Sequence, residues 1–314
     1  MISLLRLIRF PNLVIIALLQ SLIRYGLVLP ILEHYGYNPV LSHIRFGILV
    51  LSTVCLAASG YVINDYFDIK IDRLNRPDKM IIENGLKRRE AMFFHVLLSF
   101  VGVFTGLFLS YVARKESWAL MFLVIPVFLW YYSTTFKKQG FIGNLIVSGL
   151  TALVAIVVVS LEFAMLVRVH GNPIIQTEAC STAWFWTLGF AFFAFTTTLI
   201  REIVKDMEDL YGDEQGGCRT LPIEIGIKYS KIFVLILTCF TLFSIWGLYF
   251  YFNILNSSQI TLWYIIILIT LPFIISLYQL KKANSPKQYH RLSTFYKLIM
   301  LAGILYILVA GQLF

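Results

Sequence analysis

An all-α membrane protein is the fold class this sequence predicts, and three observations predict it. Of 314 residues, 59% are apolar and only 14% are charged, with a mean hydropathy of +0.78. Apolar runs of roughly 18–23 residues recur along the chain, and about 20 residues of helix cross the hydrocarbon of a bilayer. The basic residues are concentrated in alternate connections between those runs.

Taken in order, the runs cover about 11–33, 41–63, 90–112, 117–136, 141–166, 182–200, 230–252, 259–280 and 292–313. The opening "MISLLRLIRFPNLVII" has a basic start. Its apolar run is too long for a signal-peptide core, and no small-residue cleavage site follows, so it reads as a retained first helix. The second and sixth runs each end on a cluster of acids. Both lead into the longest connections, about 64–89 and 201–229, expected to be the active-site loops. The motif-bearing spans are four apart in span order, so both clusters enter from one side. This pattern predicts two four-helix pseudo-repeats plus one extra helix. No Pro/Ser linker or low-complexity tract divides the chain, so residues 1–314 form a single transmembrane domain.

The net charge of +9 does not point to nucleic acid, because of where the bases lie. With the N-terminus cytoplasmic, 20 Lys and Arg fall on the inner side and 4 (Arg45, Arg114, Lys115 and Arg168) on the outer. By the positive-inside rule this places the acidic clusters in the cytoplasm and the C-terminus outside. The four cysteines are divided between spans and opposite sides, which argues against a disulfide framework. The five histidines have no paired spacing, so zinc is not indicated.

The first acidic cluster is "NDYFDIKIDRLNRPDK". Asn64, Asp68 and Asp72 recur every four residues and share about 80° of one helical face. The second is "REIVKDMEDLYGDEQGGCRTLP", where Glu202, Asp206, Asp209 and Asp213 span about 60° if the helix persists to Gly212. Asp65, Asp78, Glu208 and Glu214 point elsewhere. Stacked carboxylates repel one another, and more so near hydrocarbon, so something positive should lie between them. Their hard oxygens suit Mg²⁺, which takes one or two carboxylates together with substrate phosphates. The bland alternative is a solvated loop whose acids pair with Arg73, Arg76, Lys79 and Lys205. Two such strips on one side of the membrane favour the metal reading.

These residues carry a family resemblance. Asn64-x-x-x-Asp68-x-x-x-Asp72, followed by Arg73, Asn75, Arg76 and Pro77, is similar to the first motif of the UbiA-type intramembrane prenyltransferases. Asp209-x-x-x-Asp213 with "GGCRTLP" resembles their second. "YYSTTFKKQGFIGN" resembles their Tyr-Ser…Lys…Gly-Asn signature, and "RFPN" their N-terminal Arg…Asn pair. One departure stands in "NRPDKMIIENG", where relatives often read "NRPxRPIPSG": Lys79 and Gly85 remain, but the second Pro is lost.

The resemblance implies nine helices around a central cavity, two Mg²⁺ ions bridging a diphosphate, and prenyl transfer to a lipophilic acceptor. On this view Asp68, Asp72, Asp209 and Asp213 are catalytic through metal. Asn64 and Asp206 complete the metal shell. Asn12, Arg73, Arg76, Lys79, Tyr132, Lys137, Asn144 and Arg219 contact substrate. The stretch "KDMEDLYGDEQGGCRTLPI" is most similar to the branch that makes digeranylgeranylglyceryl phosphate, whose acceptor is the hydroxyl of a prenylated glycerol phosphate. Aromatic acceptors of quinone biosynthesis remain an alternative, because those branches share the metal motifs. A transporter would place its ionisable groups at mid-membrane on broken helices, whereas these acids cluster at the edges of spans. The strings "DGxxAR…GxxxDxxxD" and "DDxxD" of two other lipid-enzyme classes are absent. Tyr61, Tyr66, Phe67 and Tyr131 are further aromatic candidates for an allylic cation, though Tyr and Trp gather at membrane interfaces in any case. Gln20, Arg24 and Glu162, polar groups inside spans, have no assigned role.

Overall fold

The computed structural model describes residues 2–75 and 80–314. Among the described residues, nine helices are long and apolar enough to span a membrane. They are α1 (Phe10–His34), α2 (His43–Asn75), α3 (Arg88–Ala113), α4 (Glu116–Lys138), α5 (Ile142–His170), α6 (Glu178–Gln215), α7 (Leu221–Tyr251), α8 (Gln259–Lys282) and α9 (Pro286–Leu313). A bilayer admits this solution because a helix satisfies every backbone N–H and C=O within itself.

The helices match the nine apolar runs, and two of them run on far past the C-terminal end of theirs. α2 is 33 residues long and α6 is 38, so both continue well past the points where the apolar runs stop. Much of each expected active-site loop is therefore helix. Charged residues are ordinary helix formers, and carboxylates at every third or fourth place do not end a helix. What ends α6 is "QGGC". Gly217 takes a left-handed φ of +72°, the Cys218 amide bonds the Asp213 carbonyl at 2.9 Å, and the Gly217 amide bonds that of Glu214 at 3.1 Å. This is a Schellman closure, which a Cβ at the left-handed position would oppose.

Close packing uses small residues, as expected where lipid supplies no hydrophobic drive between helices. The Ser52 hydroxyl donates to the Gly102 carbonyl across α2 and α3 at 2.6 Å. A Cβ at Gly106 would strike the Phe122 ring of α4. α1 and α8 each contain a wider turn, Leu22–Val28 and Ile265–Thr270, just ahead of Pro30 and Pro272. A proline cannot donate to the carbonyl four residues back, and a local shift to i→i+5 bonding accommodates this. At the N-terminus a short helix, Ile2–Leu7, breaks before α1. Arg9 adopts φ +52°, uncommon for a residue with a Cβ, and Pro11 occupies the first turn of α1.

Polar groups inside the spans separate into two sets. At the end of α2 that begins with His43, Arg24 Nε donates to Glu162 Oε2 at 3.1 Å, with both side chains almost fully buried. Arg24 also donates to the Leu41 carbonyl, while the Leu41 amide donates to Glu162 Oε1 at 3.2 Å. Gln20 donates to Thr53 Oγ1 at 3.0 Å. This answers the question left by those three residues: they tie α1, α2 and α5 together. The other set lies at the opposite end of α2.

Candidate active site

The end of α2 presents Asn64, Asp68 and Asp72 along one face. Asn64 Nδ2 donates to Asp68 Oδ2 at 2.8 Å, and Lys137 Nζ, from the end of α4, donates to the same oxygen. On α6, Asp213 is buried and lies within electrostatic reach of Lys137, Asp209 and Asp68. Asp72 is within reach of Asp68, Asp65 and Lys137. Tyr132, one turn before Lys137, senses Lys137, Glu202, Asp206 and Asp68. The two carboxylate ridges therefore face one chamber, with Lys137 and Tyr132 between them.

Backbone contacts hold the ridges in register. Asn75, at the end of α2, donates from Nδ2 to the Asp209 carbonyl at 3.2 Å and accepts from the Gly212 amide at 2.9 Å. Gly212 is needed for that approach, because a Cβ there would collide with the Asn75 amide group. The chain after α6 crosses to the end of α4, where the Arg219 amide donates to the Lys138 carbonyl at 3.0 Å. Both resemblance-bearing segments, "YYSTTFKKQGFIGN" and "GGCRTLP", thus form the same rim. Burial first, then the nearby Asp213 carboxylate, push the Cys218 thiol above its ordinary pKa. It stays neutral and does not compete as a thiolate ligand.

The donor set fits a hard divalent cation. All candidate ligands are oxygens, and the Asn64 side-chain carbonyl is buried with no hydrogen-bond partner among the described residues, which a metal or a metal-bound water would satisfy. Among the described residues no three acidic, His or Cys side chains converge on one point. That spacing suits an ion sharing its shell between a few carboxylates and substrate phosphate, as Mg²⁺ does, better than an all-protein cage.

The remaining predicted residues are distributed unevenly. Asn144 joins the chamber, donating from Nδ2 to Asp206 Oδ2 at 2.8 Å. Arg73 turns away from the acids and pairs with Glu83 at 2.6 Å, as does Arg88 at 2.8 Å. The Arg73 hydrogen bond is the main reason the Glu83 carboxyl sits below its ordinary pKa. Arg219 contributes its backbone, while its side chain is exposed. Arg76 and Lys79 lie outside the described residues. Glu208, expected to face away, pairs with His290 of α9 at 2.9 Å. Of the further aromatics, Tyr61 lies beneath the Arg9 guanidinium at 4.9 Å, Phe67 packs edge-on against Trp130, and Tyr131 is exposed.

A basic cluster adjoins the chamber, one turn farther into the bundle along α6. Arg201 pairs with Glu202 at 2.7 Å and Lys205 with Glu202 at 2.9 Å, so Glu202 leaves the acidic strip that its spacing suggested. Arg9 pairs with Asp65 at 2.7 Å. Partial burial disfavours its charge, but Asp65, then Tyr61 and Glu202, outweigh this and hold its pKa above the ordinary value. Lys297 of α9 donates to Asn12 Oδ1 at 3.3 Å. The sequence signal for this cluster is the lone lysine in an apolar span, "FYKLIM", since ionisable residues inside spans usually have a function. Deeper still, Ile15, Leu19, Phe193, Thr197, Met300 and Gly303 line part of an apolar cavity of about 50 Å³.

Comparison with known proteins agrees with this architecture. Residues 31–300 match the model of the UbiA prenyltransferase family. The digeranylgeranylglyceryl phosphate synthase of Methanosphaera stadtmanae is 30% identical over 267 residues, covering 83% of this chain and 87% of that protein. The Pyrococcus horikoshii protein of the same name is 33% identical over 220 residues, 70% and 69% of the two chains. Among solved structures, one from work on digeranylgeranylglyceryl phosphate synthase in membranes superposes with a TM-score of 0.62 at 26% identity. It covers 98% of this chain and 97% of that one. A UbiA homolog from Archaeoglobus fulgidus bound to DMAPP and Mg²⁺ has a TM-score of 0.54 at 18% identity, with 98% and 99% coverage, and so shares the fold. With facing acidic ridges on two overlong helices, Lys137 between them, and a profile match over most of the chain, this protein belongs to the UbiA prenyltransferase family.

Proposed function

We propose that this enzyme transfers a prenyl group from a prenyl diphosphate to the hydroxyl of a prenylated glycerol phosphate, with Mg²⁺ held at the two acidic ridges. The observation that carries the reading is the shared chamber: Asp68 and Asp213, from different helices, both lie within reach of Lys137. The names of the relatives support the acceptor, and those relatives match over most of both chains.

Asn64, Asp68, Asp72, Asp209 and Asp213, with Asp206 at the edge, are the residues that would hold the metal. An ion held there would supply positive charge to a leaving diphosphate, the chemistry that eases breaking of the allylic C–O bond. Lys137 adds a fixed positive charge at the same place. Tyr132 offers an electron-rich ring beside the reacting carbon. The acceptor oxygen forms the new C–O bond as the allylic carbon's bond to diphosphate oxygen breaks, and the hydroxyl proton passes to the departing diphosphate or to water. The concentration of bases on one side supports a cytoplasmic chamber, an inner N-terminus and an outer C-terminus.

The test is an acceptor screen in nanodiscs with labelled geranylgeranyl and farnesyl diphosphates and Mg²⁺. Transfer to glycerol-phosphate lipids and not to aromatic acids is expected. Preference for an aromatic acid would overturn the acceptor, and wild-type rates in Asp68→Ala or Asp209→Ala would remove the metal assignment.

A further inference from the structure

At the end of the bundle remote from the chamber, an open cavity of about 250 Å³ lies between the start of α4 and the helices α5 and α6. Lys115 and Trp118 line it from α4, Ser160, Phe163 and Val167 from α5, and Trp184 from α6. Ser160 and Val167 stand about 10 Å apart along a helix, so the cleft reaches two turns into the span. Phe163 packs edge-on against Trp184 at 5.8 Å, and Phe122 against Trp118 at 6.1 Å, which fixes both indoles as walls. Among the described residues neither indole N–H nor the Ser160 hydroxyl has a hydrogen-bond partner.

Bases are scarce at this end. Of the described Lys and Arg, the helices place only Arg24, Arg45, Arg114, Lys115 and Arg168 there, and Arg24 is buried against Glu162. Three of the other four meet at the mouth of the cleft. Lys115 lines it, and Arg114 adjoins Lys115. Arg168 follows Val167 and donates to the Val112 carbonyl at the end of α3. All three are exposed, and the acids of the adjoining turns are two, Glu116 and Glu178. Arg114 closes α3 at a left-handed φ of +52°, a position that glycine fills with less strain. α4 itself is loosely held: 11% of its most apolar stretch is buried, the smallest share among the nine helices.

We propose that this cleft binds one anionic membrane lipid, its phosphate on Arg114, Lys115 and Arg168 and the first part of its chains between Trp118 and Trp184. The site is separate from the chamber and independent of the acceptor. Bases at a membrane surface attract anionic lipid, and indoles sit at the level where headgroup gives way to chain. The glycerol and phosphate oxygens supply acceptors for the indole N–H groups and the Ser160 hydroxyl. A free phosphate would leave the apolar walls wet, whereas lipid chains cover them and fasten α4 to α5 and α6.

The experiment adds phosphatidylglycerol or phosphatidylcholine, with the same brominated chains, to delipidated protein in neutral detergent while tryptophan fluorescence is followed. Bromine quenches an indole on contact, and quenching by lipid around the rest of the bundle is common to both lipids. Each base near an anionic lipid is worth about fivefold. The wild type should therefore bind phosphatidylglycerol about tenfold more tightly than phosphatidylcholine, and Arg114→Gly/Lys115→Gln should bring the two within about twofold. Glycine keeps the left-handed turn, so this variant retains the fold. Trp118→Phe/Trp184→Phe should lose the quenching that saturates at low phosphatidylglycerol. Bound phosphatidylglycerol should also raise the melting temperature of the wild type and not of the charge variant. Equal affinities in the wild type, a preference that survives in the charge variant, or tight quenching that persists without the two indoles overturns the site. Displacement of the lipid by glycerol phosphate at a matched concentration would mark a free-anion site and overturn the lipid assignment.

Discussion

The two ends of α2 handle buried charge in opposite ways. Near His43, Arg24 and Glu162 form a closed set: one acid, one base, with the Leu41 backbone and the Tyr25 hydroxyl as further partners. Near Asn75, Asp68 and Asp213 share Lys137, Asp72 lies within its reach, and among the described residues the Asn64 amide oxygen has no hydrogen-bond partner. A satisfied pair in a dry site holds helices together, whereas an unbalanced one stores repulsion that a ligand can relieve. The comparison shows why buried charge in a membrane bundle is not by itself a functional signal; the imbalance is.

The largest contrast should come from single alanine changes at each end. Asp68→Ala or Asp209→Ala should lower prenyl transfer by roughly a hundredfold or more; Asp209→Ala should leave melting unchanged or slightly raised because a like charge is removed, whereas Asp68→Ala also takes the acceptor from Lys137 and Asn64. Glu162→Ala should do the reverse. It should cost about 3–5 kcal/mol of stability by stranding Arg24, while the fraction that stays folded turns over normally. A Glu162 variant that loses activity at full stability would erase the distinction.

Metal removal ranks next. EDTA should stop turnover and Mg²⁺ should restore it. Mg²⁺ with a non-hydrolysable prenyl diphosphate should raise the melting temperature through binding to the folded state. That rise should disappear in Asp213→Asn and persist in an Arg24→Met/Glu162→Leu variant, whose own stability should lie near wild type because both charges leave together.

Lys137→Met is expected to have a smaller effect, roughly tenfold on turnover, together with lower stability in EDTA, since the cation hydrogen-bonded to Asp68 is then gone. The smallest change is Asn75→Ala, which should cost about 1 kcal/mol by removing the side-chain bonds to the Gly212 amide and Asp209 carbonyl, groups that α6 also pairs within itself. Melting curves of both variants with and without Mg²⁺ check these values, and a Lys137 variant more stable than wild type in EDTA would reverse the account of the chamber.

Much of this was legible beforehand, for specific reasons. Hydrophobic runs reveal spans because the bilayer requires helices of nearly fixed length. Four-residue spacing reveals a shared face because helical geometry is rigid, so the Asn64, Asp68 and Asp72 ridge could be drawn without coordinates. Helix ends were less visible. Hydropathy falls at 63 and 200, but α2 and α6 continue to Asn75 and Gln215, because leaving the hydrocarbon does not end a helix; the two glycines after Gln215 do. Glu202 shows the limit of periodicity: its angle placed it with the acids, and its neighbours Arg201 and Lys205 took it away. Arg73 was drawn from the chamber in the same manner by Glu83.

The sequence alone determined the number of spans, the bias in basic residues and the two acidic faces, because each follows from local composition and helical period. Only the tertiary structure decided that the faces share a chamber, that Lys137 stands between them, that Arg24 and Glu162 neutralise each other across α1 and α5, and that Lys297 joins Arg9, Arg201 and Lys205. These depend on residues far apart in the chain, up to 285 positions for the Lys297–Asn12 hydrogen bond, and a charge's role depends on which opposite charge packing brings within a few ångströms.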